Sequence, residues 1–169
     1  MNQVQDIFAA SSMSRDQTLF MKELLHELTG VLEETIGLED AEGFISIVGS
    51  RLGEVMNEEY REIAGQETLD LEQIALVLVD LKRRINGGFS VESIDSDKIV
   101  MVNTACPFGK HVVGRRSLCM MTSNVFGRIA ADNLGFASVD LQKTIASGDD
   151  GCRVVIHFRQ GEAGRAYFG

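Results

Sequence analysis

Apolar residues recur at helical spacing through the first half of the chain. Leu19, Phe20, Leu24, Leu28, Val31 and Leu32 mark one stripe, after Ser14-Arg-Asp-Gln17, which has the form of a capping box. The spacing predicts a helix to about Ile36, stopped at Gly37. A second helix is expected from about Asp40 to Ala64, with Phe44, Ile47, Val48, Leu52, Val55, Met56 and Tyr60 on its apolar side. Gly49 and Gly53 share a face of it. Glycine costs helix stability, so the pair marks close approach to another element. Two readings stay open, packing inside the chain and a dimer contact. Asp70 and Gln73 form a capping box for a third helix, whose stripe is Leu71, Ile74, Leu78, Leu81 and Ile85. Lys82-Arg83-Arg84 falls in its last turn and reads as a dipole complement on a solvated face.

After Asn86-Gly87-Gly88 the period changes. Phe89 and Val91 alternate with polar residues, Asp95-Ser-Asp97 is a turn, and Lys98 to Val102 is a second strand, together a hairpin. Residues 103–116 form a loop. Ser117 reads as the cap of a fourth helix running to about Asn133, before Gly135. Phe136 to about Ala146 is a third strand. Cys152 to Arg159 is a fourth, with Cys152, Val154, Ile156 and Phe158 on one face. The fold class expected is α+β, N-terminal helices packed on a small antiparallel sheet with one further helix. Residues 1–13 are expected to be a flexible lead-in and 160–169 a frayed tail where Tyr167 and Phe168 could dock. One domain spans 14–159, with a helical part over 14–86 and a sheet and cysteine part over 87–159.

Composition narrows the function. A chain of 169 residues is long enough to bury a real core. Its formal net charge of -9 disfavours nucleic acid and anionic membranes, whose dominant attraction is to cations. No apolar run has bilayer-spanning length, and the N-terminus lacks the basic start and apolar segment of a secretory signal. A cytoplasmic location is therefore expected.

The 3 cysteines are an odd number for a disulfide framework. Cys106 follows the second strand, Cys119 falls in the first turn of the fourth helix, and Cys152 opens the fourth strand. If the second and fourth strands are neighbours and the helix crosses their ends, the sulfurs converge. Thiolates suit zinc, iron–sulfur clusters or copper(I). A helix N-terminus favours a thiolate at Cys119. His111 is the first candidate for a fourth ligand, with Asp149 and Asp150 behind it. Cys106-Pro107 with His111 nearby has the form of a heme-responsive pair, which ranks below zinc or a cluster. Met120 and Met121 read as core fillers whose soft sulfurs would matter for copper. His26 and His157 read as boundary histidines. Plain core cysteines and a reversible disulfide stay open beside these readings. No nucleotide loop is present, and no histidine is placed to activate Ser117 or Ser123 for acyl transfer.

The runs CPFG, SLCMMTSNVFGRIAADNLGF and TIASGDDGCRVVIHF resemble the methanogen output domain, in a short stand-alone bacterial version. The resemblance covers roughly residues 44–158. More distantly the chain is similar to vinyl-reductase-like sensor domains. That likeness implies a sensing module that dimerises through its helices. It also implies a zinc site from cysteines at the positions of Cys106, Cys119 and Cys152. The relatives' site adds a glutamate three residues before the helix cysteine, where this chain has Arg116. Three thiolates with His111 or an open position would remain, an arrangement that also suits a four-iron cluster.

The leading expectation is a cytoplasmic sensory module, not an enzyme. It would bind a metal, an iron–sulfur cluster or a small ligand at Cys106, Cys119 and Cys152. It would pass the change to a homodimer or to a signalling partner. The alternatives are a thiol-based redox enzyme using Cys119 and an adaptor stapled by structural zinc.

Overall fold

The computed structural model describes residues 16–169. Ser14 and the lead-in over 1–13 lie outside the described residues. Four helices and five strands follow in order: α1 (Gln17–Ile36), α2 (Leu38–Ala64), α3 (Leu71–Arg84), β1 (Phe89–Ile94), β2 (Lys98–Asn103), α4 (Cys119–Leu134), β3 (Phe136–Lys143), β4 (Cys152–His157) and β5 (Arg165–Phe168). The strands form one antiparallel sheet in the order β1-β2-β4-β3-β5. The α+β expectation holds.

Local chemistry explains most boundaries. Asp16 caps α1, accepting a hydrogen bond from the Leu19 amide at 2.7 Å. Asp70 and Gln73 close the expected capping box on α3. α2 and α4 stop at Gly65 and Gly135, both in the left-handed region. β3 ends three residues earlier than expected because Ile145–Ser147 coils into a 3₁₀ turn, Thr144 capping it through the Ser147 amide. β4 ends at His157, two residues short of the expected Arg159. The tail is not frayed. β5 pairs with β3 along four residues, and the Tyr167 hydroxyl lies 2.8 Å from Ser123 in the interior.

The main core lies between the sheet, α3 and α4. Phe126, Ile129, Ile74, Leu78, Ile99, Met101, Val139, Val154 and Ile156 are fully buried there. Truncating one of these to alanine typically costs about 2–5 kcal/mol.

α1 and α2 reverse the expected orientation. The buried residues of α1 are Thr29 and Gly30, and those of α2 are Ala41, Ser46, Gly49, Gly53 and Asn57. The large apolar residues point outward instead, among them Phe20, Leu24, Leu28, Val31, Phe44, Ile47, Val48, Leu52 and Val55. The inward face of α2 is small because α4 lies against it. A methyl group on Gly49 would stand 2.8 Å from the Asn124 Cβ, and one on Gly53 2.8 Å from the Arg128 Cβ. The glycine pair therefore serves helix packing within the chain.

Candidate functional site

The three cysteines line one cavity, without their sulfurs being gathered as a ligand set. β2 and β4 are neighbours, and their last pair is Asn103 with Cys152. Asn103 then turns the chain, its side-chain oxygen accepting from the Ala105 amide at 2.7 Å. Cys106-Pro-Phe-Gly109 closes a tight turn, the Gly109 amide donating to the Cys106 carbonyl at 2.9 Å. Two 3₁₀ turns, Gly109–Val112 and Arg116–Leu118, bring the chain to Cys119, the first residue of α4. The Gly114 amide donates to the Ala146 carbonyl at 2.9 Å, which ties this loop to the β3–β4 connection.

Cys106, Cys119 and Cys152 line one apolar cavity of about 30 Å³. Cys152 packs on the main core. Cys106 and Cys119 pack on a small second cluster of Val112, Leu118 and Ala146. The cavity sits at the seam between the two. No Asp, Glu, Lys or Arg is in its wall. All three cysteines are free and partly buried. Among the described residues, no group of three or more His, Cys, Asp or Glu is gathered so that it could hold a metal ion as it stands.

The expected thiolate at Cys119 is corrected. Burial pushes its thiol up to about 12, and the charges of Cys152 and Cys106 push the same way. Burial also raises Cys106, against the amides of Phe108 and Gly109. Position at the helix start favours the thiolate, but desolvation in an apolar wall outweighs it.

Ser117 does not cap α4. It lies within the Arg116–Leu118 turn, its hydroxyl buried without a hydrogen-bond partner. Its backbone amide donates instead to the Glu33 carboxylate of α1 at 3.1 Å. An acidic side chain thus reaches the start of α4 from a distant helix.

His111 is not among the cavity residues. Its carbonyl accepts from the His26 ring at 2.6 Å, and the two rings meet edge to face at 6.1 Å. Arg115 donates to the His26 carbonyl at 3.0 Å, lies against Gly30 and approaches Glu33 at 4.0 Å. The loop between Cys106 and Cys119 is thereby latched to α1. Asp149 serves the β3–β4 turn, accepting from the Thr144 amide at 2.8 Å, and Asp150 is exposed on that turn. Arg116 leads into Cys119 from an exposed position.

One site residue escaped the sequence reading. Lys82 is 5% exposed, not solvated. Its ammonium donates to the Thr122 hydroxyl at 2.8 Å and stands 5.1 Å and 5.5 Å from the ring centroids of Phe126 and Phe89. Burial pulls its amine down to about 8, against the charge of Cys106, Cys152 and Cys119, which raises it. Its neighbours Arg83 and Arg84 remain exposed and pair with Asp80. The signal was there. Lys82 falls four residues after Leu78 and eight after Ile74, in phase with the buried stripe.

Helices layered on one antiparallel sheet, with a small apolar cavity at the sheet end, make an α+β domain. The chain belongs to the methanogen output domain 1 family, which matches residues 24–157. The match begins within α1, well before the residue-44 start of the sequence resemblance. No curated protein matches the chain. Solved structures similar in fold include these two. One is trafficking protein particle complex subunit 3 from Naegleria fowleri, covalently bound to palmitic acid. It is 16% identical, at a TM-score of 0.60, over 82% of this chain and 95% of that one. The other is the phenol-responsive sensory domain of the transcription activator PoxR, with phenol. It is 15% identical, at a TM-score of 0.62, over 86% of this chain and 76% of that one. The family, one of output domains, supports a signalling module, and the two solved structures show the fold. Among the described residues, no helix is long and apolar enough to cross a membrane.

Proposed function

We propose that the chain is a cytoplasmic sensory module whose input is a soft metal centre, zinc or an iron–sulfur cluster, bound by Cys106, Cys119 and Cys152. One observation carries this reading. Three cysteines from a loop, a helix start and a strand start line the same cavity. Sulfur is the only soft donor in a wall without carboxylates or histidines, which favours a soft ion over a hard one. Loading requires the sulfurs to turn inward and lose their protons, because they are not gathered in the present geometry. With His111 off the cavity, the fourth position falls to an exogenous group.

The output we propose is a homodimer made through the outward apolar faces of α1 and α2. Twelve exposed large apolar residues on these two helices exceed what a solvated surface ordinarily carries. The latch of His26, Glu33, His111, Arg115 and Ser117 supports a route from the cysteine loop to that face. Redox enzymology at Cys119 is the weaker reading, because burial works against its thiolate.

The test is anaerobic purification with metal and sulfide analysis, repeated on each cysteine-to-serine variant. Zinc or iron at one centre per chain, lost in all three variants, is the expected outcome. Metal-free wild-type protein, or full metal content in all three variants, sinks the proposal. Unfolding on chelation, with no change of dimer state beforehand, would mark a structural staple instead.

A further inference from the structure

We propose that the segment between β2 and α4, residues 104–118, is a lid on the three-thiol cavity, and that α1 is the clamp that holds it shut. The inference rests on the reading of that cavity as the input site and adds how access to it is controlled.

The cavity has two kinds of wall. Phe89, Leu141, Cys152 and Val154 come from paired strands and pack with the main core. Cys106, Pro107, Phe108, Val112 and Leu118 all come from residues 104–118, whose regular structure is two 3₁₀ turns. Val112 and Leu118 anchor this segment in the small second cluster, beside Ala146. The Gly88 amide donates to the Ala105 carbonyl and the Gly114 amide to the Ala146 carbonyl, each at 2.9 Å. A segment with so small a buried cluster of its own opens locally at a lower cost than the core.

Its other hold is one face of α1. His26, Gly30 and Glu33 stand four and three residues apart and share that face. The His26 ring meets the His111 carbonyl at 2.6 Å, Arg115 donates to the His26 carbonyl at 3.0 Å, and the Ser117 amide donates to the Glu33 carboxylate at 3.1 Å. Gly30 makes room for Arg115, since a methyl group there would stand 2.5 Å from a guanidinium nitrogen. α1 packs on α2 and on both 3₁₀ turns, and the second turn also rests on α2. The closed state carries a cost of its own. The Ser117 hydroxyl is buried without a hydrogen-bond partner, a penalty that water removes when the lid lifts.

The test is iodoacetamide labelling of the reduced, metal-free protein, read residue by residue by peptide mass spectrometry for wild type, Glu33→Ala and Gly30→Ala. Thermal melts and labelling across sub-denaturing urea run alongside. Burial holds Cys106 and Cys119 protonated, so both react faster when the lid lifts. Glu33→Ala should speed their labelling by about tenfold, as loss of one charge-assisted hydrogen bond from the closed state does. Gly30→Ala should speed it several-fold while melting no lower than wild type, because alanine favours α1 as it displaces Arg115. In both variants the rate should stay flat in urea below the unfolding transition, because a local opening exposes little surface. Wild-type rates in both variants overturn the inference. So does an acceleration that climbs steeply with urea, the mark of global unfolding. The readout needs no metal, so failure of the lid and failure of the metal reading are told apart.

Discussion

At the scale of single residues, burial decides more than neighbourhood does. Cys119 stands at a helix start, and its thiol is nonetheless pushed up by desolvation. Lys82 stands in a run of cations, and one helical phase separates it from Arg83 and Arg84. That difference is measurable. Lys82 titrates at about 8 in the fold, below its ordinary 10.5. Between those values the unfolded chain holds a proton that the folded chain has released, so stability rises with pH. Cys119 works the other way, because its folded value of about 12 lies above the ordinary 9.0 and stability falls above pH 9. Cys106 is raised in the same sense. Lys82 therefore dominates between pH 8 and 9. Urea denaturation of the metal-free protein should show a net rise of a few tenths of a kcal/mol across that unit, the two thiols offsetting most of the roughly 1 kcal/mol from Lys82. The rise should vanish in Lys82→Met. A rise of equal size in the variant would assign it to another group.

At the scale of elements, the contact between α2 and α4 holds the helical layer to the rest of the fold. Three α2 glycines separate helix propensity from packing. Gly43 has open space around its missing side chain, whereas Gly49 and Gly53 are closed by α4. Gly43→Ala should stabilise by about 0.5–1 kcal/mol, the ordinary gain in a helix interior. Gly53→Ala should destabilise by about 1–3 kcal/mol despite the same propensity gain, because the helices must part. Paired thermal melts followed by circular dichroism read the difference. Equal shifts of one sign would mean that α4 does not press on this face.

At the scale of the whole molecule, the proposed homodimer rests on the outward apolar faces of α1 and α2. Light scattering coupled to size exclusion should give twice the 18.5 kDa chain mass for wild type. The Phe44→Asp, Ile47→Asp double variant should run as a single chain, because a desolvated carboxylate cannot be accommodated at an apolar contact. These positions are exposed in the chain itself, so the variant should keep its fold. Wild-type protein that stays monomeric at tens of micromolar would remove the homodimer from the proposal.

What the sequence by itself determined follows from short-range chemistry. Helical spacing, the Asp70–Gln73 box, the terminal glycines and the alternation at 89–102 are local signals, and the helices and first hairpin stand close to where they predict. That Cys106, Cys119 and Cys152 line one cavity was legible because Cys119 and Cys152 open elements and Cys106 follows the end of β2, and such ends lie near one another when strands pair as neighbours. The tertiary structure decided which face of each helix turns inward. Hydrophobicity marked the large residues of α1 and α2, but the inward face went to small residues because α4 must come close. It also decided that Glu33 rather than Ser117 serves the start of α4, and that the tail is a strand. Lys82 belongs with these. Its phase was readable, but its cost depends on which rings and thiols surround it, and residues far apart in the chain supply those.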